Sequence, residues 1–378
     1  MIIKCKVCGS RKLKVIFKHN KIPKYNLNYQ KTKKKSLKSK FVKIKFVICK
    51  KCEFVFNSNY TNLDYKVEYD AKRSFSKYFQ KYLNFVAKEL FVKTKNIKKI
   101  VEVGAGDGMF AKEYIKKHQK KITYSAFDIS WRVEQKKIIV NKINEKNKLK
   151  KIPEYYDNRF SLKPDLLILR HVLEHQFNVK KFIKDIIFEN PKYFFIEIPC
   201  WEFVKKDNFH YFSNEHCSYF SKKNIEYFMS QFDYQKIFIK YTFNKEYIIS
   251  LWEKKKINKT IELEFKPNLR FDFDKWKKKI KKKLFQSTMW GAGGKGVMLL
   301  NLLNITSKDM KFIIDSNPYL ENKFIPGTDI KILGTKEGLK KDNYNRISVI
   351  NPLYLKEIRK KVIEYSTEKK VFSVFPKL

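Results

Sequence analysis

Between Lys99 and Ile198 short apolar runs alternate with stretches of helical spacing. Ile100–Val103, Ile122–Phe127, Leu166–Leu169 and Tyr193–Ile198 are too short for buried helices and read as strands. A glycine-rich turn follows the first run, then a helix through about Lys117, and a second helix is predicted around Val179–Phe188. Upstream, Phe79, Leu83, Val86 and Leu90 stand at i, i+4, i+7 and i+11, the apolar stripe of a core-packing helix. Strand–helix alternation predicts a parallel sheet with helices on both faces. After about residue 245 the pattern breaks. Residues 253–285 are rich in Lys and Phe, with a helix expected near Trp276–Leu284. The alternation then restarts with Thr288–Trp290, Gly291–Gly296, Val297–Leu303, Phe312–Ile314 and Ile347–Ile350, a second and smaller α/β unit. Lys31 to Lys40 reads as a solvated loop or hairpin turn. The predicted division is 1–62, 63–250 and 251–378.

A hydrophobic fraction of 43% supports real cores and argues against disorder. The formal charge of +46 suggests anionic partners, since Lys clusters neutralise phosphates. Yet Lys, Asn, Ile, Phe and Tyr crowd the chain together, as AT-rich codons would produce, and most Lys residues are spread evenly. Only Lys33–Lys35 and Lys277–Lys283 form runs. The charge therefore predicts steering of anionic small substrates and no specific nucleic-acid binding. No window holds the 18 or more apolar residues of a membrane span. The N-terminus does not read as a signal peptide, because a cysteine pair begins at once, so a cytoplasmic protein is expected.

Six cysteines in so long a chain do not make a disulfide scaffold. Four of them form two Cys-x-x-Cys pairs, Cys5 with Cys8 and Cys49 with Cys52. Two such knuckles present four thiolates in a tetrahedral array, which suits Zn²⁺ and leaves no open position. A structural zinc is expected.

The segment Val101-Glu102-Val103-Gly104-Ala105-Gly106-Asp107-Gly108 lies at a strand-to-helix turn. Glycines there let backbone approach a ligand, with a helix N-terminus facing it. A dinucleotide fingerprint wants its third glycine where Met109 stands, so the spacing favours S-adenosylmethionine. Asp128 ends the next strand and can accept both ribose hydroxyls, the bland alternative being a helix cap. Glu102, Gly104, Ala105, Gly106, Gly108, Asp128 and Arg170 are the expected cofactor-binding residues. Beyond the strand ending at Leu169 comes Arg170-His171-Val172-Leu173-Glu174-His175, and a second cluster, Asn214-Glu215-His216-Cys217-Ser218-Tyr219-Phe220, follows the next strand. Ligands of open α/β sheets sit beyond the carboxyl ends of strands. His171 and His216 are therefore candidates for proton chemistry near neutral pH, Glu215 being placed to orient His216. His19 and His118 read as surface residues.

Taken together, these motifs resemble the nucleotide-sugar C-methyltransferases, of which deoxyhexose 3-C-methyltransferases are the best-known members. The resemblance includes Ile196-Glu197-Ile198-Pro199 and, in the last domain, Trp290–Gly296, Ile314–Pro318 and Pro326-Gly327-Thr328. It covers nearly the whole chain. It implies a class I methyltransferase core of Rossmann-like α/β fold, an N-terminal zinc module and a small Rossmann-like C-terminal domain. The outer two would clasp a nucleotide-diphosphate 4-keto deoxyhexose over the core. It also implies that a His–Glu pair and a tyrosine assist removal of the proton alpha to the ketone, matching His171, Glu215 and His216 by position. Tyr69 matches the family's tyrosine only loosely, and Tyr211 is the nearest tyrosine before Glu215. Two rival readings remain at this point. One is O-methylation of a surface-polysaccharide sugar or its modifying group. The other is a zinc-ribbon nucleic-acid-binding protein with an inactive methyltransferase-like core.

Overall fold

The structure is a computed structural model that describes residues 3–63, 76–94, 96–131, 137–206, 208–256 and 271–376. Tyr69 lies outside the described residues.

Three strands open the chain: β1 (Leu13–Pro23), β2 (Phe41–Cys49) and β3 (Val55–Asn57), paired antiparallel in that order. The 31–40 segment holds a short helix, Lys33–Leu37, where a loop was expected. Thr32 caps it, and buried Ser36 donates to the Ile325 carbonyl at 2.7 Å, so tertiary contact overrides a polar local sequence.

The central sheet contains β4 (Lys99–Val103), β5 (Thr123–Phe127), β6 (Ile139–Lys142), β7 (Lys148–Ile152), β8 (Leu166–Arg170) and β9 (Tyr193–Pro199). A two-residue strand, β10 (Ser218–Tyr219), leaves this sheet and pairs with β3 instead. A hairpin, β11 (Tyr234–Thr242) and β12 (Tyr247–Lys254), completes it in the order β11-β12-β9-β8-β4-β5-β7-β6. The sheet is mixed rather than purely parallel: β6, β11 and β12 run antiparallel to their neighbours. The helix Lys77–Lys93 buries Phe79, Leu83, Val86 and Leu90 against one face, together with the helix Met109–Ile115. His118 is buried rather than on the surface, its ring 4.8 Å edge-on to Phe91 and 5.0 Å from Tyr114.

A third sheet comprises β13 (Thr288–Trp290), β14 (Phe312–Ile314), β15 (Lys331–Leu333), β16 (Arg346–Val349) and β17 (Lys370–Ser373). All its pairs are parallel, in the order β15-β14-β13-β16-β17. The helix Phe273–Leu284 buries Trp276, Ile280 and Leu284 and leaves its lysines outward. Among the described residues no helix is long and apolar enough to cross a membrane.

Candidate active site

Strand β4 is flanked by β5 on one side and β8 on the other, so the sheet order reverses there, and in open α/β sheets the ligand crevice lies at such a point, beyond the strands' carboxyl ends. The turn leaving β4 enters it. Gly104, Gly106 and Gly108 have φ of +71°, +58° and +76°, the left-handed region that L side chains avoid. The amides of Gly104 and Ala105 donate to the Phe127 carbonyl at 2.8 and 3.1 Å, tying the turn to β5. Gly106 donates to Asp128 Oδ2 at 2.6 Å, while Asp128 Oδ1 accepts from the Ser130 amide and hydroxyl at 2.9 and 2.6 Å. Burial raises the Asp128 carboxyl, and these donors pull it back in part. A Cβ built at Gly106 would meet nothing within 4 Å, whereas one at Gly104 would strike Val172 Cγ2 at 2.3 Å. The turn is thus packed at one glycine and open at the next, a cradle that a ligand can fill.

Behind the turn runs a buried polar row. Tyr124 donates to Glu102 Oε2 at 2.8 Å, and Arg170 Nε donates to Glu197 Oε2 at 2.7 Å. Arg170 also covers the Phe110 ring at 4.3 Å. Glu102 Oε1 and Arg170 Nη2 are buried without a hydrogen-bond partner. Burial pushes the Glu102 carboxyl up to about 7, against the pull of Arg170 and Tyr124. Burial opposes charge on Glu197 too, but Arg170 and then His171 bring it down to about 2.

His171 follows β8 with φ of +54°. Its Nε2 lies 3.1 Å from Glu197 Oε1 and its Nδ1 3.2 Å from Glu174 Oε1. Burial disfavours its charge, but the two carboxylates outweigh this and raise its pKa. Both ring nitrogens are therefore engaged by carboxylates. Tyr82, from the helix Lys77–Lys93, adds a third hold on Glu197 at 2.9 Å.

His216 and Glu215 part company. Glu215 Oε1 accepts from the Asn26 amide, at 2.6 Å, in the N-terminal module. The histidine instead joins Glu174 and His175, the three side chains' polar atoms lying within 4.8 Å of one another. The His175 and His216 rings meet edge-to-face with centroids 4.9 Å apart. His171 and His216 are thus brought to one mouth, but through Glu174, which sequence reasoning did not single out. Its signal was present: Glu174 is three residues after His171, on the short turn Leu173–His175.

In the N-terminal module, Cys5 Sγ lies 3.5 Å from Cys52 Sγ and Cys8 Sγ 3.5 Å from Cys49 Sγ, all four sulfurs within 4.8 Å of one another. The two knuckles are built alike. Gly9 and Glu53, each following the second cysteine, have φ of +73° and +57° and donate to the carbonyls of Cys5 and Cys49. A tetrahedral ion with bonds of about 2.3 Å sets sulfurs roughly 3.8 Å apart, so the observed cage fits Zn²⁺.

The C-terminal sheet repeats the glycine-turn device: the Ala292 amide donates to Asp315 Oδ2 at 2.6 Å, as Gly106 does to Asp128.

Residues 70–237 match the family of methyltransferase domains, and residues 268–376 match the C-methyltransferase C-terminal domain. No curated protein matches the chain. Among solved structures, the chain is similar to an O-methyltransferase family protein from Burkholderia thailandensis, with 11% identity and a TM-score of 0.36. That match covers 47% of this chain and 56% of the other, so the chain spans just over half that protein's length. The magnesium protoporphyrin IX methyltransferase of Synechocystis PCC 6803, solved with bound S-adenosylmethionine, shows 12% identity over 47% of this chain and 78% of its own, TM-score 0.34. The N-methyltransferase NodS of Bradyrhizobium japonicum WM9 shows 8% identity over 48% and 98%, TM-score 0.35. The core has the class I methyltransferase fold.

Proposed function

From a chain that carries an S-adenosylmethionine-dependent methyltransferase domain followed by a C-methyltransferase C-terminal domain, we propose a C-methyltransferase acting on a nucleotide-activated ketosugar. The pairing of these two domains in one chain is the observation that carries the reading. The expected cofactor fits the crevice: Gly106 leaves the cradle open, Asp128 offers carboxylate lone pairs to a ribose, and Glu102 and Arg170 keep orphaned polar atoms behind it. When bound, S-adenosylmethionine supplies a methyl group on a positive sulfur, open to attack by a carbon nucleophile.

This chain's residues have to make that nucleophile. A C–H bond alpha to a ketone must break, its proton going to a base and its electron pair toward the carbonyl oxygen. His216 is the proposed base. His171, with both nitrogens committed, serves as a fixed cation beneath the site, and His175 takes the place facing the acceptor's oxygen. The four cysteines hold a structural Zn²⁺ that shapes the module against which Glu215 is fastened. Tyr69 is retained as a candidate tyrosine on the family resemblance alone.

The test separates carbon from oxygen. In deuterated water a nucleotide 4-ketosugar should exchange its alpha proton on the enzyme, and His216→Ala should slow this by about 10²–10⁴-fold. With a labelled methyl donor, the product methyl should appear on carbon. A methyl on oxygen with no carbon-bound exchange overturns the reading in favour of O-methylation.

A further inference from the structure

Glu174 is 1% exposed, and its Oε2 has no hydrogen-bond partner among the described residues, while Oε1 faces His171 at 3.2 Å. A buried carboxylate without compensation is costly, and it would normally protonate. Here it stands among three imidazoles. We propose that Glu174 is a positioning residue that keeps one shared proton on the His175–His216 pair, so that the site presents an acid beside a base. The proposal deepens the acceptor-side reading above and rests on it for its chemistry.

The geometry gives the reason. With one oxygen within 4.8 Å of a nitrogen of each ring, the carboxylate favours a first proton on the pair. With centroids only 4.9 Å apart, the two rings oppose a second one. Burial works against charge on Glu174, but the His171 contact and then the charges of His171, His175 and His216 hold it ionised. Three titratable groups near the pair are kept neutral. Cys217 and Tyr219, on the segment that carries His216, are kept neutral by burial, as is Tyr60 from the N-terminal module, pushed up to about 12. Glu215, next to His216 in the chain, is a second carboxylate, fastened to the Asn26 amide. Glu197 and Arg170 form an ion pair on the far side of His171.

One shared proton makes enolisation a balanced exchange. His216, neutral, takes the alpha proton as the C–H bond breaks. The electron pair forms the carbon–carbon double bond, and His175 gives its proton to the ketone oxygen. The pair still holds one proton, now on the other ring. On methyl transfer the hydroxyl proton returns to His175, and the proton on His216 leaves to solvent.

The chain has six histidines, so ring-labelled histidine can be followed by NMR on the full-length protein as pH is varied. The expected result is two separated steps shared by His175 and His216, the upper one above the ordinary histidine value of about 6.5. Glu174→Gln should lower that upper step by about one pH unit or more, and Glu174→Asp should restore most of it. Unchanged titration in Glu174→Gln, or two independent single steps in the wild type, overturns the proposal. The wild-type result decides if Glu174→Gln does not fold. Tight capture of added Co²⁺ at the two rings near neutral pH would also overturn it, since their lone pairs would then hold a cation and not a proton. None of these measurements needs an acceptor, so they stand whether or not the ketosugar reading survives.

Discussion

At the residue scale, neighbouring glycines of one turn answer to different demands. Both Gly104 and Gly106 have positive φ, so any side chain there costs about 1–2 kcal/mol of backbone strain. At Gly104 the added Cβ also drives into Val172, and Gly104→Ala should unfold at markedly lower temperature than Gly106→Ala. Gly106→Val, by contrast, should spare most of the stability and lose cofactor affinity, because its side chain enters the open cradle. Asp128→Ala should weaken the cofactor too. Calorimetry with S-adenosylmethionine checks both, and undiminished affinity in folded Gly106→Val would place the cofactor elsewhere. The buried carboxylates give a pH signature with opposite signs. Glu102, raised from 4.5 to about 7, takes up a proton on folding, so its contribution to stability falls as pH rises between those values. Glu197, lowered from 4.5 to about 2, contributes stability above about 4.5 that is lost as pH falls toward 2. Urea unfolding across pH 4.5 to 7 should show a downward slope that flattens in Glu102→Gln.

At the scale of elements, the strands of the central sheet were legible because buried parallel strands are short continuous apolar runs. Leu166–Leu169 and Tyr193–Phe195 need no alignment to be recognised. The same rule hid the hairpin: Tyr247–Lys254 is as apolar as β9, and nothing local shows that it runs the other way. Glycine spacing made the tight turn after β4 legible, and Gly104, Gly106 and Gly108 do take positive φ there. The histidine cluster was only half legible, since adjacency in sequence suggested Glu215 for His216 while the fold supplies Glu174 from a segment 42 positions away in the numbering, Glu174 to His216. His118 misled because lysines surround it in sequence while Phe91 and Tyr114 surround it in space. The cysteine knuckles, set by short-range spacing, make a prediction of their own. Elemental analysis should find one Zn²⁺ per chain, and Cys49→Ser should lose the metal and lower the melting temperature, because structural zinc contributes folding energy. A stable, metal-free wild type would remove the zinc.

For the whole molecule, the long-range hydrogen bonds say how the three sheets are joined. Tyr29 donates to the Ala292 carbonyl at 2.7 Å, Ser36 donates to Ile325, and the Asn26 amide reaches Glu215. The N-terminal module therefore touches both the loop that carries Glu215 and the second glycine turn. The charge of +46 acts over the same scale. It should make the protein bind nucleic acid at low salt, and counterion release should abolish that binding by about 200 mM salt. Sequence-dependent affinity that survives such salt would revive the nucleic-acid reading. The strand β10 begins two residues after His216 and is hydrogen-bonded to β3, while Asn224 Nδ2 holds the Cys52 carbonyl at 2.7 Å. The loop that carries His216 is thus tied to the cysteine knuckles through β3 and the Asn224 side chain. If His216 acts as proposed, an oxidant that joins the thiolates as disulfides should slow turnover while the core stays folded. The cage would then work as a fuse, reporting thiol stress to a reaction that uses no thiol.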